Sequence, residues 1–117
     1  MPHCILECSP EILAGCDQNT LMQSCFDAAF ASELFEADDI KVRLLPLQNQ
    51  LVGETGLSQL HIDIKILDGR TPEQRKQLAD GVLIAVQQYL LSCAVRHASL
   101  SVEISEIERA SYAKVIL

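Results

Sequence analysis

Residues 60–66, Leu-His-Ile-Asp-Ile-Lys-Ile, alternate apolar and polar without a fault, the period of a strand buried on one face. Asp68-Gly69-Arg70 turns the chain, and Thr71-Pro72-Glu73-Gln74 combines an N-cap threonine, a proline at the first helical position and a glutamine three residues past the cap. The period then becomes helical to about Val95, with Leu78, Val82, Ala85, Val86, Tyr89, Leu90 and Cys93 on one face. Leu100-Ser101-Val102-Glu103-Ile104 alternates again as a strand. A β-α-β unit is the strongest constraint this chain carries, because such a crossover is right-handed and sets its two strands parallel.

The first half repeats that order. Residues 3–8 form a short apolar run suited to a strand, a turn follows at Ser9-Pro10, and Asp17, Asn19 and Thr20 offer helix-start chemistry. Leu21, Met22, Cys25, Phe26, Ala29, Phe30 and Leu34 recur at helical spacing, which predicts a helix over about 19–35 with an extra turn near 11–15. Residues 40–47 read as a strand, with Pro46 marking an edge or a bulge. Val52-Gly53-Glu54-Thr55-Gly56 joins the halves. One domain over 1–117 results, with β-α-β units at about 2–51 and 57–107. The expected class is α+β: a two-layer α/β arrangement of one four-stranded sheet with both helices on one face. The other face is expected to carry apolar and small side chains, which a chain this short covers by association.

Composition narrows the function. Hydrophobic content of 49 % with no Trp and three Phe predicts a single aliphatic core. A formal charge of −7 argues against nucleic acid and against anionic membrane surfaces as partners. No apolar run approaches the roughly 20 residues of a membrane-crossing helix, and the start lacks the basic flank of a signal peptide, so a cytoplasmic protein is expected. The five cysteines contain no C-x-x-C pair and read as small hydrophobes, and the three histidines lack ligand spacing. No metal site is expected.

The sequence starts Met1-Pro2. Loss of the initiator methionine would leave Pro2 as a secondary amine, with an ordinary α-amino pKa of about 8. Burial and neighbouring cations both push such a group toward neutrality, where it can take up a proton and return it. Read without chemistry, Pro2 begins an edge strand, where its missing N–H costs nothing.

The opening Pro2-His3-x-x-x-Glu7-Cys8-Ser9, the Lys41-x-Arg43 strand and Gly69-Arg70 before the second helix together resemble the 5-carboxymethyl-2-hydroxymuconate delta-isomerase family of the tautomerase superfamily. The resemblance runs nearly the whole chain. It implies a homotrimer with active sites near subunit contacts, no cofactor, a small anionic substrate and a role in aromatic catabolism. It also implies that the amino-terminal proline is the acid–base group and that arginines bind carboxylates. Carried over by residue, these become Pro2 and Arg70 as catalytic groups, with Lys41 where the family has an arginine. Lysine keeps the charge and loses the planar fork. Arg43 shares a strand face with Lys41 and is the next substrate-binding candidate. Taken singly, Lys41, Arg43, Arg70 and Arg75 also read as solvated charges. Two other readings are open: another enzyme of the superfamily (keto–enol tautomerase, decarboxylase or hydratase) or a non-enzymatic trimeric interaction module.

Overall fold

The computed structural model describes residues 1–117. The elements run β1 (His3–Cys8), α1 (Pro10–Ala14), α2 (Gln18–Ala31), β2 (Lys41–Pro46), β3 (Ser58–Leu67), α3 (Pro72–Ser92) and β4 (Ala98–Ile107). Single 3-10 turns lie at Ala37–Asp39 and Arg109–Ser111. The sheet order is β2-β1-β3-β4. Within each half the two strands are parallel, β1 with β2 and β3 with β4, and the halves meet through antiparallel β1 and β3. The first strand of each repeat is therefore central, and β2 with its Pro46 is an edge, where a missing N–H is harmless.

One face of the sheet and the two helices share the core. Cys4, Leu6 and Cys8 of β1 and Leu60, Ile62, Ile64 and Ile66 of β3 are buried against Leu21, Cys25 and Ala29 of α2 and Leu78, Val82, Val86 and Leu90 of α3. Each large aliphatic side chain so buried contributes about 1.5–3 kcal/mol. The cysteines are free, and burial pushes the Cys8 thiol up to about 12, in keeping with a packing role. Ser9 ties the halves together at the buried end of β1. Its hydroxyl donates to Gln50 Oε1 at 2.6 Å and accepts from the Gln59 amide at 2.7 Å.

Both helices stop short of the length their periodicity predicts. The Ser32 hydroxyl bonds to the Ala29 carbonyl at 2.6 Å and Glu33 turns left-handed at φ 63°, so α2 ends at Ala31 and Phe30 is half exposed instead of core-facing. In α3 the left-handed residue is Ala94, at φ 61°, and the Val95 amide returns to the Leu90 carbonyl. No glycine stands at either stop, so neither carries the usual signal.

The open face of the sheet corrects the expectation of an apolar surface. Strand pairing sets Lys41 and Arg43, His3 and Glu7, His61, Asp63 and Lys65, and Ser101, Glu103 and Ser105 on this side. Its apolar members are few, Ile5 and Leu45 among them. His61 bonds to Glu103 at 2.8 Å, and Asp63 to Lys65 at 3.0 Å and Ser105 at 2.6 Å. Burial works to raise the Asp63 carboxyl, but its bonds to Ser105 and Lys65 outweigh that and hold it low. Alternation here separates an oily face from a polar lattice, as in a sheet with one wet side.

Candidate active site

Three cavities are of ligand size; one, about 400 Å³, lies against α2 and Val42 with no titratable side chain in its lining, and the other two differ in charge. The larger, about 540 Å³, lies over α2 and α3 and is lined by alanines, glutamines and Gly81, with no titratable side chain. The second, about 380 Å³, lies at the end of the sheet where β1 begins, β3 ends and α3 starts. It concentrates charge against apolar walls, the environment in which acid–base groups are tuned.

The chain start is on its wall. Pro2 is buried, and its carbonyl accepts from the Lys41 amide at 3.0 Å, extending the β1–β2 ladder. That pairing fixes the preceding residue, and the Met1 ammonium donates to the Asp39 carbonyl at 2.9 Å. Lys41 Nζ donates to the same carbonyl at 3.3 Å. Burial lowers the pKa of this amine below its ordinary value, and Lys41, Lys114 and Arg70 lower it further against an opposing pull from Asp39. The site thus shifts the Met1 amine toward its neutral form.

Arg70 faces the amine from the second repeat. Gly69 adopts φ 114°, a conformation that side chains rarely take, and this bend delivers Arg70 to the cavity just before the Thr71 cap opens α3. Its guanidinium donates to the Leu34 carbonyl at 2.7 Å and lies 5.6 Å from the Phe35 ring centre. A single bond to the protein leaves most of its five N–H groups unused.

The structure brings Pro2, Lys41 and Arg70 to one end of the sheet and leaves Arg43 apart. Arg43 Nη1 donates to His3 Nδ1 at 3.2 Å, so the ring's other nitrogen carries the hydrogen given to Tyr112 Oη at 3.0 Å. Burial first, then Arg43 and Lys41, hold the His3 pKa down, which fits that neutral tautomer. Arg75 pairs with Glu106 at 2.7 Å.

Of this cavity's lining, sequence reading singled out only the chain start and Arg70; it missed the carboxylates Glu33, Glu36 and Asp39, the cations Arg109 and Lys114, and the apolar Leu34, Phe35 and Leu67. The tail after β4 folds back over the site, where Arg109 bonds Asp68 and Lys114 Nζ meets Asp39 Oδ1 at 2.9 Å. That hydrogen bond raises the pKa of Lys114 and lowers that of Asp39. The available signal was an isolated cation in an otherwise apolar tail, Tyr112-Ala113-Lys114-Val115.

A four-stranded sheet of two β-α-β repeats with both helices on one face is a tautomerase-like architecture. Residues 2–115 match the profile of the 5-carboxymethyl-2-hydroxymuconate isomerase family, and the chain belongs to that family. No curated protein matches the sequence. Among solved structures, it is similar to a 5-carboxymethyl-2-hydroxymuconate isomerase from Deinococcus radiodurans R1, with 24 % identity and a TM-score of 0.83 over 97 % of this chain and 88 % of that one. A 5-carboxymethyl-2-hydroxymuconate delta-isomerase aligns at 16 % identity and TM-score 0.85, covering 98 % and 88 %. A fused 4-OT, described as a symmetric trimer, aligns at 16 % identity and TM-score 0.73, covering 96 % and 90 %. At these identities the likeness is one of fold; membership of an isomerase family makes the chain an isomerase-type enzyme. No helix is long and apolar enough to cross a membrane.

Proposed function

We propose that this protein isomerises an unsaturated 2-hydroxy acid of the 5-carboxymethyl-2-hydroxymuconate type, in aromatic catabolism, with the amine of Pro2 as the acid–base group once Met1 is removed. The observation that carries the reading is the position of the Met1 amine, one residue before Pro2, on the wall of a charged cavity of about 380 Å³. There burial and three cations favour its neutral form.

The neutral Pro2 nitrogen takes the proton of the substrate's 2-hydroxyl group. Electrons move through the diene, C2–O becomes a ketone, and the proton now on nitrogen is delivered to C5, leaving a C3–C4 double bond. Atoms and charge balance without a further reactant. Negative charge is spread over the dienolate midway, and Arg70 and Lys41 are the fixed cations beside it. Their effect is larger in a partly dry cavity than in water. Arg43, engaged with His3, has the weaker claim to substrate.

We also read the active protein as a homotrimer. The support is the fold shared with a symmetric trimer, together with exposed Leu45, Leu51, Val115, Ile116 and Leu117, and not an apolar sheet face. Sedimentation at micromolar concentration should give three subunits.

The reading is tested by incubating the protein with 2-hydroxyhexa-2,4-dienedioate in D2O. The dienol absorbance should fall faster than in buffer, and the product should carry one deuterium at C5 in a single configuration. Conversion at the buffer rate, or racemic label, would refute enzymatic proton transfer.

A further inference from the structure

We propose that Lys114, carried into the cavity by the C-terminal tail, binds a second carboxylate at the end of the substrate remote from the 2-hydroxy acid, and that Asp39 holds its place until substrate arrives. The inference rests on the functional reading above and adds to it a residue that sets preference for diacids.

The tail is held by polar contacts, not by core burial. Arg109 anchors it to Asp68, through the carboxylate at 3.3 Å and the carbonyl at 2.8 Å. Tyr112 anchors it to His3 at 3.0 Å, with the two rings edge to face. Beyond Lys114 the residues Val115, Ile116 and Leu117 are exposed, so the tail gains nothing from the core there. Lys114 follows two residues after the second anchor and lines the cavity, with its side chain only 26 % exposed.

The cations of the cavity differ in how they are engaged. Arg109 has two bonds to Asp68 and is committed to holding the tail. Arg70 is fixed by the Leu34 carbonyl beside the amine. Lys114 has one partner, the Asp39 carboxylate, itself 42 % exposed. An ammonium has three donors, and an ion pair open to water is weak enough to be exchanged. A carboxylate from a ligand can therefore take over Lys114 without leaving a buried charge unpaired, since Asp39 turns to water and keeps the Lys41 and Met1 amines near its own carbonyl.

The test measures binding, so it does not depend on turnover. The probes are trans,trans-hexa-2,4-dienedioate and hexa-2,4-dienoate, six-carbon dienes that differ by one carboxylate and lack the 2-hydroxy group. Dissociation constants come from calorimetry. The wild-type protein should prefer the diacid at least tenfold. Lys114→Met should bring that preference to near one, Lys114→Arg should keep it, and Asp39→Asn should raise it severalfold by freeing the lysine. Equal binding of the two probes by the wild type would overturn the proposal. So would a Lys114→Met protein in which both affinities fall in parallel. The same titrations on Pro2→Ala separate the two readings. A preserved, Lys114-dependent preference in a wild-type protein without isomerase activity would refute the proton-transfer reading and leave Lys114 as a diacid contact.

Discussion

The two β-α-β repeats share a plan and differ in regularity. The second has ten-residue strands, a 21-residue helix and a complete capping box; the first has six-residue strands and a 14-residue helix. The shortfall lies beside the charged cavity. Because α2 stops at Ala31, the segment from Ser32 to Asp39 is free to supply the Leu34 carbonyl, the Phe35 ring and Asp39 to the cavity. The regular repeat contributes only Leu67 and Arg70, on either side of the Gly69 bend. The orderly half is scaffold, and the irregular half supplies most of the cavity's lining.

That contrast can be broken by mutation. The largest effect should follow Pro2→Ala. Loss of a positioned acid–base group costs about 10²–10⁴-fold, and a primary amine in its place keeps a remnant of kcat/KM. A denaturation curve unchanged from wild type would separate this from unfolding. Arg70→Ala should lower kcat/KM about 10²–10³-fold on diacid and monoacid substrates alike, as expected when a charge facing the developing anion is lost. Arg75→Ala, one turn further into α3, should leave kcat/KM within about twofold. If Arg75→Ala matched Arg70→Ala, the cavity would not be where the reaction occurs.

Changes in the regular repeat should act on stability instead. Thr71 accepts from the Gln74 amide at 3.1 Å, and the Gln74 side chain accepts from the Thr71 amide at 2.9 Å. Thr71→Ala should cost about 1 kcal/mol in urea unfolding. Its kcat should stay near wild type, unless the cap also fixes Arg70, its neighbour. A kcat loss larger than the stability loss would blur the division between scaffold and site.

The smallest effect is a shift in pH dependence. The base must be neutral, so kcat/KM should rise with pH through the amine's pKa. Lys41 destabilises the ammonium, so Lys41→Met should move that rise to higher pH. Asp39 stabilises the ammonium, so Asp39→Asn should move it lower. Shifts in the same direction for both would mean that the titrating group is not the chain's amine.

Much of the fold is legible because period and capping agree in the second repeat: the Leu60–Ile66 alternation and Thr71-Pro72-Glu73-Gln74 identify β3 and the start of α3. The helix stops are not legible, since Glu33 and Ala94 take left-handed conformations that tertiary contacts impose and no glycine announces. Within the site, Pro2 and Arg70 stand out, one by chemistry at a chain start and the other by its glycine. Lys114 does not, because only the folded tail brings it to Asp39, 75 positions away. The polar lattice of the open face was present in the sequence as His61, Asp63, Lys65 and Glu103. The expectation of a face to be covered follows from layer packing, and it fails because these side chains pair with one another across the strands.

The most direct measurement is an NMR titration of the protein labelled with 15N-proline, following the Pro2 nitrogen in the chain that lacks Met1. A secondary amine that titrates with a midpoint below the ordinary α-amino value of about 8 is predicted, moving upward in Lys41→Met. A Pro2 nitrogen that does not titrate, or that does so at or above the ordinary value, would contradict the account.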